Sequence, residues 1–426
     1  MQSCLLARID RTPYKQTAFY EQFNKQIKQI RTDSLYTKTD TIQAGWAKVN
    51  ITPEEPVAMA GYGNRWGKKY ISVHDSLWVR AFVFNNGSQK AAMVTLDMLI
   101  VPPEVTEALE KRLPEIGFTL KQTYLTATHT HYSFGGWAKK LVGSIIAGRY
   151  QDKVVDLLTD RILSAIRQAD ARKQKASFGY GQYHAGELVY HRISKQGHTD
   201  PWLRVFLIRQ QSGATAVISS FAAHATLLPT RQYVLSRDYP GALVDTLEKH
   251  PDIDFAAFCA GGVGSHSTGG EGEHFEKIGN VAAALSQKII HNLPFIKTYY
   301  HQKLAIIQMP LALRRPQWRI SENWRLRPWV FYGLYGDYPS FLAGLRIGDV
   351  TWIGTPCDFA GEMIPEIEKH TDQKLIVTSF NGGYIGYITA DEYYDVDHYE
   401  TRSMNWFGPE NGAYFIEAIS RLANKL

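Results

Sequence analysis

The chain has 426 residues, 44% of them hydrophobic and 12% aromatic, with a formal net charge of +6. That is enough apolar material for one large α/β domain or two ordinary ones, and no apolar run approaches the length of a membrane span. The mild positive charge includes no long Lys/Arg block, which argues against nucleic acid as a partner, and three cysteines (Cys4, Cys259, Cys357) make neither a disulfide framework nor a CxxC metal site.

Residues 1–43 read as a polar N-terminal segment. Cys4 is followed by Leu5-Leu6-Ala7 without the longer apolar region of a secretory signal. With a start further upstream it would be the tail of a signal or a lipid-anchored cysteine, hence an expected extracytoplasmic location. Phe19, Phe23, Ile27 and Ile30 recur at spacings of three and four, which predicts a helix over 17–30, lying on the body or forming a stalk. The body is expected over 44–426. It opens with a strand over 44–53, stopped by Pro53, then a small-residue turn at Ala58–Gly63 where backbone can approach a ligand closely. Strands at 77–84 and 91–96, a helix at 105–113 and a strand from Tyr124 make a β-β-α-β run. Its chemistry sits at strand ends, where open α/β sheets place their ligands. An amphipathic helix at 154–171 follows. Further strands are predicted at 177–181, 203–209, 216–221, 304–313, 345–353 and 375–380, and further helices at 242–249, 277–293 and 414–422.

Four of these strand ends carry candidate chemistry. The first is Thr128-His129-Thr130-His131. Residues two apart in a strand share a face, so the pair can offer two imidazoles to one cavity, as metal ligands or as hydrogen-bonded edge histidines. His224 follows the strand ending at Phe221, and Asp358 follows Gly354-Thr355-Pro356. The fourth is the tyrosine-rich loop Tyr384-Ile385-Gly386-Tyr387, with Tyr399 beyond it. Two imidazoles and a carboxylate would leave zinc an open position where water is activated.

In order along the chain, these motifs resemble the neutral/alkaline non-lysosomal ceramidase family. Met59-Ala60-Gly61-Tyr62 resembles the family's glycine turn, Arg80-Ala81-Phe82 its next strand, and Thr128–His131 with Gly135-Gly136 its THTHSGPGG signature. His191-Arg192-Ile193, Phe221–Thr226, Asp238–Gly241 and the series from Tyr387-Ile388-Thr389 through His398-Tyr399-Glu400 to Phe407-Gly408-Pro409 follow. The resemblance covers nearly all of 44–426. It implies an α/β fold, a mixed-sheet catalytic domain of the neutral ceramidase type with its active site at strand ends. It also implies a zinc site of His129, His224, Asp358 and Tyr387, with His131 and Tyr399 stabilising an oxyanion or passing a proton and Arg192 positioning substrate.

Two departures from the family pattern stand out. Asp358 occupies a glutamate position, and the family's Asn-Ala-Gly-Asp-Val-Ser-Pro loop is Cys259-Ala260-Gly261-Gly262-Val263-Gly264-Ser265 here, with Gly264 in place of a serine. Glycines at 262 and 264 predict a wider or more mobile pocket floor. The family's C-terminal immunoglobulin-like domain has no counterpart after Phe407-Gly408-Pro409. The expected activity is zinc-dependent hydrolysis of the amide bond of an N-acyl, sphingolipid-like lipid, with peripheral membrane contact. The alternatives are a hydrolase of a non-ceramide acyl substrate, or a lipid- or glycan-binding module that has lost turnover.

Overall fold

The computed structural model describes residues 5–31 and 40–426; Cys4, and with it the expected anchor, lies outside them. Twelve strands organise the body: β1 Gln43–Asn50, β2 Trp78–Asn85, β3 Lys90–Leu96, β4 Thr123–Ala127, β5 Gln174–His184, β6 Trp202–Gln210, β7 Thr215–Phe221, β8 Phe255–Ala260, β9 Leu304–Pro310, β10 Phe341–Ile347, β11 Val350–Gly354 and β12 Lys374–Thr378. The larger sheet runs β8-β7-β6-β5-β1-β2-β3-β4, and the smaller β9-β10-β11-β12. Pairing is antiparallel except for β7 with β8, β3 with β4 and β11 with β12. Both sheets are therefore mixed.

Side-chain alternation explains the layering. Along β2, Val79, Ala81 and Val83 point into one core while Phe82 and Phe84 point into another, as a pleat of period two requires. The first core is closed by helices α2 (Pro103–Arg112), α4 (Asp152–Ala171), α5 (Asp238–Glu248) and α6 (His274–Asn292). Between the two sheets, Phe82, Tyr124, Phe206 and Ile218 meet Leu345, Trp352 and Ile376. The outer face of the small sheet is covered by α8 (Ile364–Glu368), α9 (Asn411–Ala423) and the N-terminal α1 (Ala18–Gln29). The order is helices, sheet, sheet, helices. Helix α1 lies on the body: Phe23 stacks edge-on against Tyr414 at 5.4 Å and is fully buried, as is Ile27 nearly so. Each such side chain contributes about 1.5–3 kcal/mol.

Two sequence expectations need correction. The segment 345–353 is not one strand but the hairpin β10–β11, turned at Gly348-Asp349. The Gly348-Asp349 pair is the turn signal between two short strands whose residues are mostly buried on both faces. Strand β8 was absent from the predicted elements; its small residues Ala256, Ala257 and Ala260 carry little strand preference.

The larger sheet curls until its two ends meet. Thr95 Oγ1 on β3 donates to the Phe258 carbonyl on β8 at 2.7 Å. Strand β12 of the small sheet closes the same corner: Tyr124 and Thr378 share a hydroxyl hydrogen bond of 2.6 Å, and Ser379 N donates to Ala260 O at 3.0 Å. The ends of β4, β7, β8, β11 and β12 thereby converge, and the four candidate loops leave from four of these strands.

Candidate active site

His129, His131 and His224 are the centre of that corner. One ring nitrogen from each lies within 4.8 Å of the others. Strand alternation does not bring the HxH pair together, because β4 ends at Ala127 and His129 takes a left-handed φ of 62°. That conformation costs a non-glycine residue free energy, and such costs concentrate at functional sites. It is held by Phe380, whose ring stacks on the His129 imidazole at 4.1 Å.

The backbone sets the tautomers. His129 Nδ1 donates to Leu99 O at 2.6 Å, His224 Nδ1 to Val263 O at 2.7 Å, and His131 Nδ1 to Gly61 O at 3.1 Å. A carbonyl only accepts, so each Nδ1 carries the proton and each Nε2 presents a lone pair. Burial and then the neighbouring His129 hold His131 well below the ordinary imidazole pKa; burial and then the Arg192 guanidinium do the same for His224. Gly61 reaches its position at φ 116°, and a Cβ there would lie 2.7 Å from the His131 carbonyl oxygen.

Asp358 and Tyr387 come from two short segments that pair in parallel, residue opposite residue. Asp358 Oδ1 lies 3.3 Å from His129 Nε2 and 3.4 Å from His224 Nε2, and no hydrogen bond reaches it. The Tyr387 hydroxyl is 3.3 Å from His224 Nε2. His131 Nε2 stands 3.1 Å from His129 Nε2. Two lone pairs in contact and an unpaired buried carboxylate oxygen are unfavourable by themselves. A divalent cation among them would satisfy all of these atoms, so the donor set fits a metal. The expected ligands His129, His224, Asp358 and Tyr387 thus adjoin one another, and His131 stands equally close.

Arg192 Nη1 lies 3.2 Å from His224 Nδ1 and 3.3 Å from its Nε2, while Nε pairs with the buried Glu400 at 3.1 Å. Tyr399 opens the π-helical turn Tyr399–Ser403, is 53% exposed and meets the Tyr387 ring edge-on at 6.1 Å. Two residues without an expected role also belong here. Tyr384 donates its hydroxyl to Asp358 Oδ2 at 2.7 Å, and Glu400 anchors Arg192. The only sequence cue to Tyr384 is its place three residues before Tyr387.

The expected wide floor at the glycine loop is not found. A Cβ at Gly264 would lie 2.5 Å from the Asp358 carbonyl oxygen, and the Gly264 amide donates to Phe359 O at 2.8 Å. Gly264 lets the loop press against the strand that carries Asp358. The Ser265 hydroxyl is bound to Glu362 rather than offered to the cavity.

His129, His131, Asp358, Tyr387 and Tyr399 line a chamber whose enclosed volume is about 70 Å³. Its other walls are mainly apolar, including Leu99, Trp137, Ile146, Tyr335 and Trp406.

Residues 42–284 match the model of the neutral/alkaline non-lysosomal ceramidase N-terminal region. The chain belongs to that family. Curated relatives are the neutral ceramidases of Mycobacterium tuberculosis, 23% identical over 221 residues, and of Pseudomonas aeruginosa, 27% identical over 219. The first alignment covers 47% of this chain and 34% of the relative; the second covers 46% and 32%. The chain thus matches about a third of the length of these relatives. The crystal structure of the Pseudomonas aeruginosa neutral ceramidase superposes with a TM-score of 0.76 at 19% identity, over 91% of this chain and 75% of that one. A ceramidase complex with C2 superposes equally well, with a TM-score of 0.76 at 19% identity, covering 88% and 74%. The ceramidase fold therefore extends well beyond the matched N-terminal region.

Proposed function

We propose that this ceramidase-family chain is a zinc-dependent amidohydrolase that cleaves the linear amide bond of an N-acyl lipid. The observation that carries the reading is the convergence of three proton-free imidazole nitrogens and an unpaired Asp358 oxygen at the wall of an apolar chamber. His129, His224, Asp358 and Tyr387 would hold the metal. Zinc in such a site supplies Lewis acidity to a carbonyl and makes water a competent nucleophile near neutral pH.

The protein's own groups divide the remaining work. The chamber takes the acyl chain, and its apolar walls keep bulk water from the reacting carbon. Water adds to the amide carbon, the C–N bond breaks, and one proton passes from water to the departing amine. His131 carries that proton at Nε2, its Nδ1 being committed to Gly61. Tyr399, exposed at the mouth, donates to the oxyanion. Arg192, locked by Glu400, positions the polar head of the lipid. The serine that would read the ceramide head group is Gly264, and Ser265 is bound to Glu362, so a large preference for ceramide is not expected.

The test is a panel of ceramide, N-acyl amino acids and other N-acyl lipids offered to the metal-replete protein, with fatty acid and amine both measured. Equal release of acid and amine from one or more of them supports the reading. Tight binding without release from any of them favours a binding module.

A further inference from the structure

Helix α3 (Leu141–Ala147) has no charged residue, although it lies at the surface. Val142, Gly143 and Ile146 line the chamber. On the other side Leu141 and Ile145, one turn apart, are 56% and 40% exposed. The helix is thus a wall one residue thick between the chamber and solvent. Trp66, 78% exposed, lies beside it: a Cβ at Gly63 would meet Ile145 Cγ2 at 3.4 Å, and one at Gly67 would meet Gly148 Cα at 3.5 Å. Helix α7 (Pro328–Tyr335) packs against α3 and exposes Trp329 to 61%. An ordinary surface helix turns charge outward, and tryptophans at such exposure on segments beside an uncharged surface helix are characteristic of contact with an apolar phase.

Cations border this patch. Lys68 and Lys69 follow Trp66, Lys139 and Lys140 precede α3, and Arg149 follows it; all five are exposed. None has an ion-pair partner among the described residues. Apolar side chains framed by cations without carboxylate partners, Lys68 and Lys139 resting on the Tyr233 and Tyr150 rings, match a bilayer containing anionic lipid, where the apolar groups enter the acyl boundary and the cations meet headgroups. A second copy of the chain would bring the same positive charges against one another.

We propose that Trp66, Leu141, Ile145 and Trp329 form a docking face for an anionic lipid bilayer, oriented so that an acyl chain passes along α3 into the chamber without crossing bulk water. This rests on the reading of the substrate as a lipid, but docking can be measured without turnover.

The experiment is vesicle flotation of the full chain, using phosphatidylcholine vesicles with and without phosphatidylglycerol. A Trp66→Ser, Leu141→Ser, Ile145→Ser variant and a Lys68→Glu, Lys69→Glu variant are compared with the unaltered protein. Hydrolysis of a short-chain, monomerically soluble N-acyl substrate and thermal melting report whether each variant is folded. The unaltered protein should float with the anionic vesicles, less so as salt is raised. Both folded variants should lose about tenfold in partitioning, with soluble-substrate turnover and melting unchanged. Equal flotation of folded variants and unaltered protein would overturn the proposal. So would indifference to phosphatidylglycerol, or a dimer that the apolar substitutions dissolve without any vesicle binding. If the protein hydrolyses nothing yet floats as described, the docking face stands and the catalytic reading falls.

Discussion

His129 and His131 hold their Nε2 atoms 3.1 Å apart while each commits its Nδ1 proton to a backbone carbonyl, Leu99 for the first and Gly61 for the second. In the neutral rings no proton remains to bridge the two nitrogens, so their proximity suits a shared cation. His224 is the deeper of the flanking histidines, facing Asp358 and Tyr387, whereas His131 borders the open chamber. His224→Ala should therefore lower metal content more than His131→Ala, which should mainly slow turnover. Elemental analysis of both variants checks this. Equal metal loss would make His131 a ligand.

Tyr384 fixes the orientation of Asp358 through a 2.7 Å hydrogen bond. An aspartate in a glutamate position has a shorter reach, and this bond holds it toward the histidines. Tyr384→Phe should weaken metal binding by about 10–100-fold, the usual cost of losing such a support. Competition with a chelator of known affinity measures it. Unchanged affinity would mean that the backbone alone positions Asp358.

Glu400 keeps Arg192 beside His224. Glu400→Gln should lower kcat/KM by roughly tenfold while leaving metal content intact, because substrate positioning and not coordination is lost. Loss of metal in step with activity would place the Arg192–Glu400 pair in support of His224 instead.

Restoring the family serine at 264 should not restore the family's head-group contact. Its Cβ would lie 2.5 Å from the Asp358 carbonyl oxygen. Gly264→Ser should therefore destabilise the protein by about 1–3 kcal/mol, the range for overpacking, and lower metal content by moving Asp358. Denaturant titration with metal analysis tests this. A fully stable variant with improved ceramide turnover would refute it.

Glu362 is buried, which raises its pKa, yet contacts with His191, His266 and Ser265 hold it below the ordinary glutamate value of 4.5. A depressed folded-state pKa contributes stability above the unfolded value and loses it as pH falls through the folded one. Glu362→Gln should thus cost roughly 1–3 kcal/mol at pH 7. The gap from the unaltered protein should close as the pH drops below the ordinary glutamate range. A gap independent of pH would show that the carboxylate charge is not what stabilises this corner.

Much of this arrangement was legible in the sequence because the large elements are periodic and the candidate groups follow strands. The N-terminal helix, α4 and most strands were found within a few residues of their observed bounds. Two kinds of feature were not. Elements without a polar face, such as α3 and α7, show no amphipathic period, and the two-residue Gly348-Asp349 turn of the hairpin β10–β11 is short enough to pass for part of one strand. Contacts made by tertiary closure were also invisible. The curl that brings β3 to β8, the support of Asp358 by Tyr384, and the pressing of Gly264 onto the Asp358 strand join residues far apart in the chain.

The central claim is that the histidine corner binds a metal on which amide cleavage depends. Its most direct test is fatty-acid release from the best N-acyl substrate by protein as purified, after exhaustive chelation, and after zinc is returned. The account predicts release that disappears with the metal and recovers with zinc, alongside parallel loss and recovery of bound metal. Release that persists undiminished in protein shown to be free of metal would contradict it.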